Sequence, residues 1–302
     1  MNNILDVVII GAGPAGLSAA IYAKRAMLNF VILDKFLPGG GIASTFELEN
    51  YLGVGRVTGM AFAEMMTNHV NELGIDVQME EVLSVNLSGD FKQIHTDKHL
   101  YYTKHVVIAT GATSRKLRCK GEDEFLGRGV SNCATCDGFL YKDKTVLVVG
   151  GGDVAVEDAI YLSRMAKKVI LVHRRNELRA VKSLQERVFQ IDNVEILWNH
   201  ELKEICGDNS VNKAIVIDNQ TNEVKEVNVD GVFIAIGYIA NSQFLNHQIK
   251  MNQQGWILTD HRCETSQKGV FAVGDIRDTV LRQVVTAVSD GAIAVSEISK
   301  LV

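Results

Sequence analysis

The hydrophobic positions of the chain form short uninterrupted runs that alternate with glycine-rich turns and with stretches of helical periodicity. Near the N-terminus the apolar run Val7 to Ile10 is followed by the turn GAGPAG, the helical stretch LSAAIYAKRA and a second apolar run, FVILD, ending at Asp34. Continuous apolar runs of this length are typical of parallel strands buried on both faces. The pattern therefore predicts a strand, a helix and a second strand in one βαβ unit.

The same order of elements occurs again from Thr145. Strand TVLVVG leads into the turn GGGDVA, the helix VEDAIYLSRMA and the strand KVILVHRR. The two units are in register, because Asp34 lies 23 positions after Gly11 and His173 lies 23 positions after Gly150. Such an internal repeat indicates that one supersecondary device is used twice.

Each glycine turn has the composition of a dinucleotide-binding site. The first glycine makes the bend, the second lets the backbone approach a pyrophosphate, and a third small residue lets the helix pack on the strand. The free N–H groups and the dipole of the helix N-terminus favour the bound anion. These three positions are Gly11, Gly13 and Gly16 in the first turn and Gly150, Gly152 and Ala155 in the second. The sequence predicts an α/β fold with two Rossmann-like dinucleotide-binding domains.

The residues at the end of the second strand distinguish the two predicted ligands. Asp34 accepts hydrogen bonds from ribose hydroxyls and would repel a 2′-phosphate by roughly 4 kcal/mol at about 4 Å and an effective dielectric of about 20. The first site therefore favours FAD or NAD(H). The second unit has a basic group instead, made of His173, Arg174, Arg175 and Arg179. Guanidinium groups bind phosphate in a bidentate manner, so the second site favours NADP(H).

Composition and charge narrow the class of protein further. The 302 residues, 47% of them hydrophobic, suffice for two cores, and a net charge of -5 provides no basic surface for nucleic acid. No apolar run approaches the roughly 18 residues of a membrane span, and no Lys or Arg precedes the first run as in a signal peptide. We expect a cytoplasmic protein without nucleic-acid or membrane partners.

A pair of cysteines lies in the stretch SNCATCDGF. The two-residue gap between Cys133 and Cys136 occurs in metal sites, in structural disulfides and in redox-active pairs. A closed zinc site needs four ligands, and the sequence has no second pair of matching spacing, so we expect no metal. A permanent disulfide across so short a loop gains little. A redox pair is favoured, since Ser131 or Asn132 would cap a helix starting at Cys133 and Asp137 would supply the proton that thiol–disulfide exchange needs.

The order of these motifs resembles that of the pyridine-nucleotide-dependent flavoprotein disulfide reductases. CATCDGF followed by GGGDVAVEDA and HRRNELR is similar to the low-molecular-weight thioredoxin reductases, and the similarity covers essentially the whole chain. The resemblance implies FAD in the first site, with contacts at Gly11, Gly13, Pro14, Ala15, Gly16, Asp34, Gly40, Asn50, Ala109, Thr110, Gly111, Gly274, Asp275, Arg282, Gln283 and Val284. It implies NADPH in the second, with contacts at Gly150, Gly152, Asp153, Val154, Ala155, His173, Arg174, Arg175 and Arg179.

The resemblance also implies domain ranges and residue roles. The FAD-binding domain would comprise residues 1–113 and 243–302, with an NADPH-binding domain, 114–242, inserted between them. Cys136 would face the flavin, Cys133 would attack the disulfide of thioredoxin or a similar small dithiol protein, and Asp137 would be the acid and base. The inserted domain would carry both nicotinamide and dithiol, so we expect it to rotate as a rigid body between two half-reactions. A helix from Leu281 to Val295 and a homodimer are also expected.

The chain departs from the family pattern near the flavin. Gly41 stands where the family has Gln, Leu52 and Ala240 stand where it has Pro, and Ser289 precedes Asp290 where Gly is common. A missing Gln side chain would shift the flavin potential, so these changes bear on the electron acceptor.

Alternative functions therefore stay open. These are a reductase of another redoxin or of a peroxiredoxin system, a ferredoxin-dependent reductase, and a nucleotide-sensing binding protein without turnover. The second glycine turn and its arginines argue against the ferredoxin-dependent version, and the dithiol argues against the sensor.

Overall fold

The computed structural model describes residues 4–45 and 48–302. Over these residues the chain divides into two compact units. The first comprises the described residues up to Ala43 together with Tyr51–Thr113 and Ile239–Val302, and the second comprises Ser114–Tyr238 with the described residues of Ser44–Asn50. The expected ranges of the FAD-binding and NADPH-binding domains stay predictions.

Strands and helices alternate over residues 5–79 and 134–198, and a run of consecutive strands follows each of these stretches. The strands are β1 Leu5–Ile10, β2 Phe30–Asp34, β3 Val77–Met79, β4 Val82–Asn86, β5 Lys92–Thr96, β6 Leu100–Ile108, β7 Ala112–Ser114, β8 Val130–Ser131, β9 Thr145–Val149, β10 Lys168–His173, β11 Val194–Trp198, β12 His200–Gly207, β13 Val211–Asp218, β14 Val224–Asn228, β15 Gly231–Ile234, β16 Tyr238–Ala240 and β17 Val270–Ala272. The α-helices are α1 Pro14–Arg25, α2 Gly59–Glu72, α3 Ala134–Asp137, α4 Asp153–Ser163, α5 Lys182–Phe189 and α6 Val284–Ile298. Short 3-10 helices cover Gly40–Ser44, Gly138–Tyr141, Gln243–Leu245 and Gly274–Ile276.

The sheet of the first unit has the strand order β3-β2-β1-β6-β5-β4, and β17 pairs with the end of β6. The pairs among β3, β2, β1, β6 and β17 are parallel, whereas β4, β5 and β6 form an antiparallel meander. Val7, Val8 and Ile9 are completely buried, as expected for a central parallel strand that is covered on both faces. The parallel strands therefore deliver their carboxyl ends to one edge of the sheet.

The second unit repeats this arrangement. Its parallel sheet has the order β11-β10-β9-β15-β8, and β12, β13 and β14 form a separate antiparallel sheet. The central strand β9 is again buried along Val146 to Val149. An α/β chain with two Rossmann-like units, one inserted into the other, was the prediction, and it is confirmed. Among the described residues no helix combines the length and apolarity needed to cross a membrane.

The helices begin at residues different from those predicted. Helix α1 begins at Pro14 and α4 at Asp153, each directly after the second glycine of its turn, because Pro and Asp are favourable in a first helical turn. Helix α6 begins at Val284, not at Leu281, since the side chains of Gln283 and Thr286 form a capping box. The predicted start at Leu281 was therefore wrong.

Candidate functional site

The first glycine turn is held by contacts that leave no room for side chains. The amide of Gly11 donates to the carbonyl of Leu33 over 2.7 Å. A Cβ on Gly11 would lie 2.4 Å from the carbonyl oxygen of Ala109, and a Cβ on Gly16 would lie 1.8 Å from the carbonyl oxygen of Gly11. Glycine at these positions is therefore required by the close approach of α1, β1 and the end of β6.

Two other segments that were predicted to contact FAD pack against this turn. A Cβ on Gly40 would lie 2.9 Å from the Cα of Gly13, and a Cβ on Gly274 would lie 2.9 Å from the Cβ of Ala15. Both glycines have positive φ, 62° and 70°. The fold thus gathers the following predicted FAD residues around the N-terminus of α1: Gly11, Gly13, Ala15, Gly16, Gly40, Ala109 and Gly274.

Asp34 lies at the carboxyl end of β2 and is tied to the same turn. One carboxylate oxygen accepts the amide of Ala12 over 2.6 Å, and the other accepts the amide of Phe36 over 2.9 Å. Each oxygen keeps a second lone pair, so the group can still accept a ribose hydroxyl. The two bonds fix the direction of the carboxylate before any ligand arrives.

Asp275 follows Gly274 in the short 3-10 helix after β17 of the first unit. Burial raises the pKa of its carboxyl, while the charge of Arg282 opposes that rise. The guanidinium of Arg282 stacks at 4.0 Å over the ring of Trp256. Beside it, Gln283 serves as the N-cap of α6, so that Arg282, Gln283 and Val284 form the entrance to this helix.

Thr110 and Gly111 are positioned by Asn241. The Thr110 hydroxyl donates to the carbonyl of Asn241, and the Asn241 side-chain amide donates back to the carbonyl of Thr110, both over 2.9 Å. The amide of Asn241 donates to the carbonyl of Gly111. The predicted FAD residue Asn50 is different, because it falls in the second unit.

The second glycine turn reproduces the first. The amide of Gly150 donates to the carbonyl of Val172 over 3.1 Å, and a Cβ on Gly150 would lie 2.5 Å from the carbonyl oxygen of Ala235. Ala235 and Gly237 take the place that Ala109 and Gly111 have in the first unit. Sequence reasoning missed this third element, although the repeat of ATG as AIG after an apolar strand was a readable signal.

His173 differs from the arginines that follow it. Its side chain is only 4% exposed and packs beneath the turn, so that a Cβ on Gly151 would lie 2.2 Å from the ring. Its Nε2 is buried and has no hydrogen-bond partner among the described residues. Arg174, Arg175 and Arg179 are exposed. The structure thus separates the imidazole from the guanidinium groups with which the sequence grouped it.

The remaining residues of the second turn lie on α4. The Asp153 carboxylate accepts the amide of Val181 over 2.8 Å, which holds the segment after β10 near the N-terminus of α4. Val154 is exposed and Ala155 is buried. A Cβ on Gly152 would meet no atom within 4 Å, so the backbone is open there, as a pyrophosphate site requires.

Cys133 and Cys136 are joined by a disulfide, with their Cα atoms 5.2 Å apart. Both residues are half-buried, and they lie in the same unit as the second glycine turn. Helix α3 begins at Ala134 with Cys133 as N-cap. The expected cap by Ser131 or Asn132 was wrong, because the Ser131 hydroxyl accepts the amide of Cys133 itself, over 3.0 Å.

Asp137 directly follows the second cysteine and is 8% exposed. Its Oδ2 accepts the Ser131 hydroxyl over 2.5 Å, and its Oδ1 is buried without a partner among the described residues. Burial raises the pKa of this carboxyl above its ordinary value, and the bond from Ser131 acts in the opposite direction. A buried carboxyl with a raised pKa next to a disulfide is a candidate for general acid and base chemistry.

Comparison with known proteins identifies the family. The family model described as pyridine nucleotide-disulphide oxidoreductase matches residues 5–291. The chain belongs to this family. It is 44% identical to a thioredoxin reductase of Peptoclostridium acidaminophilum, over 100% of this chain and 98% of that protein, and 42% identical to one of Bacillus subtilis, over 100% and 96%. The predicted resemblance is confirmed.

A solved member of the pyridine nucleotide-disulphide oxidoreductases shows the same fold. The crystal structure of thioredoxin reductase from Streptococcus pyogenes superposes with a TM-score of 0.95 at 41% identity, covering 99% of this chain and 98% of that one. The α/β fold with two Rossmann-like domains is therefore that of a pyridine nucleotide-disulphide oxidoreductase.

The four departures from the pattern of this oxidoreductase family, at Gly41, Leu52, Ala240 and Ser289, lie in different environments. A Cβ on Gly41 would meet no atom within 4 Å, so packing does not require glycine there. Leu52 is 96% exposed, whereas Ala240 is buried. The Asp290 carboxylate accepts the amide of Gly274 over 3.1 Å and pairs with Arg277 over 2.9 Å. Ser289 itself is exposed and directly precedes Asp290 in α6.

Proposed function

We propose that this oxidoreductase reduces the disulfide of thioredoxin with NADPH as the electron source, FAD as the carrier and Cys133–Cys136 as the exchanging disulfide. The observation that carries the proposal is the Cys133–Cys136 disulfide followed by the buried carboxyl of Asp137, in the same unit as an exposed arginine cluster. A nucleotide sensor has no use for an exchangeable disulfide with its own acid.

The first glycine turn fits FAD. The close approach of α1, β1 and the end of β6 fixes the position of the turn. The free amides at the N-terminus of α1 would then bind the pyrophosphate. Asp34, fixed by its bonds to the turn, would accept the ribose hydroxyls of the adenosine. Asp275, in the turn packed against Ala15, would accept a hydroxyl of the ribityl chain.

The second glycine turn fits NADPH. The open backbone at Gly152 would receive the pyrophosphate, and Arg174, Arg175 and Arg179 would hold the 2′-phosphate because their guanidinium groups are exposed. His173, lying beneath the turn, would support the backbone and not touch the phosphate. Held by these two sets of residues, NADPH would supply a hydride and FAD would carry the two electrons to the disulfide.

The chain's own residues then carry out the exchange. Two electrons and two protons convert Cys133–Cys136 into two thiols. The Cys133 thiolate attacks one sulfur of thioredoxin, which forms a mixed disulfide and releases the other thioredoxin sulfur as a thiol. The Cys136 thiolate attacks the Cys133 sulfur, restores the internal disulfide and releases thioredoxin as a dithiol. Asp137 takes the proton from the attacking thiol and returns one to the departing sulfur.

The assignment of residues to units has a dynamic consequence. The NADPH turn and the disulfide belong to the second unit, and the FAD turn belongs to the first. Nicotinamide and disulfide would therefore have to approach the flavin in turn, by rigid-body rotation of the second unit. We also retain the prediction of a cytoplasmic location. The predicted homodimer would be checked by light scattering of the purified protein.

The decisive experiment separates the two half-reactions. The purified protein is expected to be yellow, to lose its flavin absorbance anaerobically with NADPH, and to reduce thioredoxin within a panel of redoxins. NADH should act roughly 10- to 100-fold more weakly, since charge-assisted bonds to the 2′-phosphate contribute about 1.5–3 kcal/mol. A colourless protein that does not respond to added FAD would instead support a nucleotide sensor.

Cysteine variants test the role of the disulfide. Cys133→Ser is expected to keep the bleaching by NADPH and to lose reduction of thioredoxin. Cys206→Ser is the matched control, because Cys206 is a free, partly exposed cysteine of the same unit, and it should keep both activities. Reduction of thioredoxin at the wild-type rate by Cys133→Ser would overturn the proposal, whereas reduction of only another redoxin by the wild type would transfer it to that partner.

A further inference from the structure

Ser131 is hydrogen-bonded both to the backbone of Cys133 and to the buried carboxyl of Asp137. Its hydroxyl accepts the amide of Cys133 over 3.0 Å and donates to the Oδ2 of Asp137 over 2.5 Å. The residue is only 4% exposed. A single hydroxyl therefore connects the backbone of the first cysteine to the carboxyl that follows the second.

The position of Ser131 is fixed by the sheet. It is the last residue of β8, which pairs in parallel with β15, and its Cα partner there is the buried Phe233. The acid lies on a different element, because Asp137 ends α3. A bond from this edge strand of the parallel sheet to a short helix determines where the carboxyl points, since a helix of one turn has little rigidity of its own.

We propose that Ser131 is a positioning residue of the exchange reaction, which holds the Asp137 carboxyl in one orientation beside the Cys133–Cys136 pair while it anchors the Cys133 amide. This inference rests on the acid and base role of Asp137 in the proposed function. It goes beyond that function because it names the group that sets the orientation and the protonation of the Asp137 carboxyl.

The bond also has an electrostatic effect. Asp137 is largely buried, and its Oδ1 has no partner in the part of the chain that the structure describes. The Ser131 hydroxyl stabilises the ionised carboxylate and so opposes the rise in pKa that burial causes. Without this donor the carboxyl would keep its proton to higher pH and would lose its ability to act as a base.

Other titratable groups lie on the elements around Asp137. Tyr141 follows on the 3-10 helix, Glu157 and Asp158 lie on α4, and Asp230 precedes β15. Burial raises the pKa of Asp158 to about 7, and burial also raises the pKa of Asp137 above its ordinary value. An experiment must therefore assign the signal of Asp137 by substitution and compare variants that share all the other groups.

Infrared spectroscopy of the oxidised protein, without NADPH or thioredoxin, measures this directly. The band of the protonated carboxyl that disappears in Asp137→Asn reports the midpoint pH of Asp137. Ser131→Ala should raise that midpoint by about one pH unit, because a charge-assisted hydrogen bond to the ionised form is lost. Ser131→Thr and Ser131→Val have nearly the same shape, and only the valine variant should show the shift. This pair keeps the test available where the alanine variant fails to fold.

Ser163→Ala is the control, since the Ser163 hydroxyl donates to the carbonyl of Ile160 on α4 and has no bond to Asp137. It should leave the midpoint unchanged. An unchanged midpoint in both Ser131→Ala and Ser131→Val, or an equal shift in Ser131→Thr and Ser131→Val, would overturn the proposal. The pH profile of thioredoxin reduction should move with the midpoint. A protein inactive toward thioredoxin would defeat the proposed function and leave the infrared result readable.

Discussion

The two glycine turns have nearly the same backbone but different side chains beneath it. Ala12 and Gly151 occupy equivalent positions, directly after the first glycine. The carbonyl of Ala12 accepts the amide of Gly39, and the carbonyl of Gly151 accepts the amide of Arg179, over 2.9 and 2.7 Å. In both units, therefore, a segment from beyond the second strand is fastened to the same point of the turn.

The contrast lies at the end of the second strand. Asp34 binds the amide of Ala12 through its carboxylate, so a small side chain at position 12 is tolerated and completely buried. His173 places an imidazole under Gly151 instead, and no side chain fits there. The two turns thus differ in the pairs Ala12 with Asp34 and Gly151 with His173, while the hydrogen bond that fastens the following segment to each turn is the same.

The largest loss of stability is expected at Gly16, where α1 packs more closely on its strand than α4 does at the equivalent Ala155. Gly16→Ala should destabilise the first unit by about 3 kcal/mol, because its Cβ would lie 1.8 Å from the Gly11 carbonyl oxygen and neither α1 nor β1 can yield. Ala155 already carries a Cβ at the equivalent position. The reverse change, Ala155→Gly, should cost only about 1 kcal/mol, the difference between alanine and glycine in a helix.

Urea unfolding separates these two effects. The chain has two tryptophans, Trp256 in the first unit and Trp198 in the second. Trp198→Phe and Trp256→Phe backgrounds therefore report each unit by fluorescence. Equal losses for Gly16→Ala and Ala155→Gly would mean that the two turns are packed alike, against the contacts described above.

A smaller effect is expected from exchanging the residues after the first glycine. Gly151→Ala should destabilise the second unit by about 2 kcal/mol, since the new Cβ would lie 2.2 Å from the buried imidazole. The variant His173→Ala removes the imidazole that the new Cβ would meet. In that background Gly151→Ala should therefore cost less than it does in the wild-type protein. Ala12→Gly is the counterpart in the first unit and should cost about 1 kcal/mol. Additive losses in the double variant would show that Gly151 and His173 do not interact.

Much of the fold was readable from the sequence because parallel strands are marked by continuous apolar runs. Strand β2 covers Phe30–Asp34, the run that the sequence indicated. Helix starts were less readable, because Pro14 and Asp153 belong to the glycine motif and to the helix at once. The start of α6 at Val284 depends on a capping box, a local hydrogen-bond pattern that hydrophobic periodicity does not reveal.

The site was readable in its motifs but not in its long-range contacts. The glycines, Asp34 and the cysteines were found because their spacing carries the chemistry. Ser131 or Asn132 was predicted to cap the helix at Cys133, whereas the Ser131 hydroxyl donates to Asp137, because the fold decides which partner within this short segment is reached. The burial of His173 was not foreseen, because the sequence groups it with the adjacent arginines. In the structure the arginines are exposed and the imidazole is buried.

The smallest expected effect is a pH dependence confined to the second turn. Burial lowers the pKa of His173 below its ordinary value of 6.5, and the charges of Arg179 and Arg175 add to this. The unfolded chain therefore binds more protons than the folded one just below pH 6.5, so stability is complete above that pH and falls as the pH decreases toward the folded pKa. The loss is at most about 1.4 kcal/mol for each unit of lowering.

Unfolding of the second unit, followed through Trp198 between pH 5 and about pH 8, checks this. His173→Gln should remove part of the loss of stability at acid pH. His105, whose pKa is also lowered by burial, remains in both proteins and lies in the first unit, so it does not contribute to the difference. The first unit, followed through Trp256, should respond identically in the two proteins, because Asp34 occupies the equivalent position there. A loss of stability at acid pH that is the same in wild type and His173→Gln would place the titrating group elsewhere, and the imidazole beneath Gly151 would then act through its shape alone.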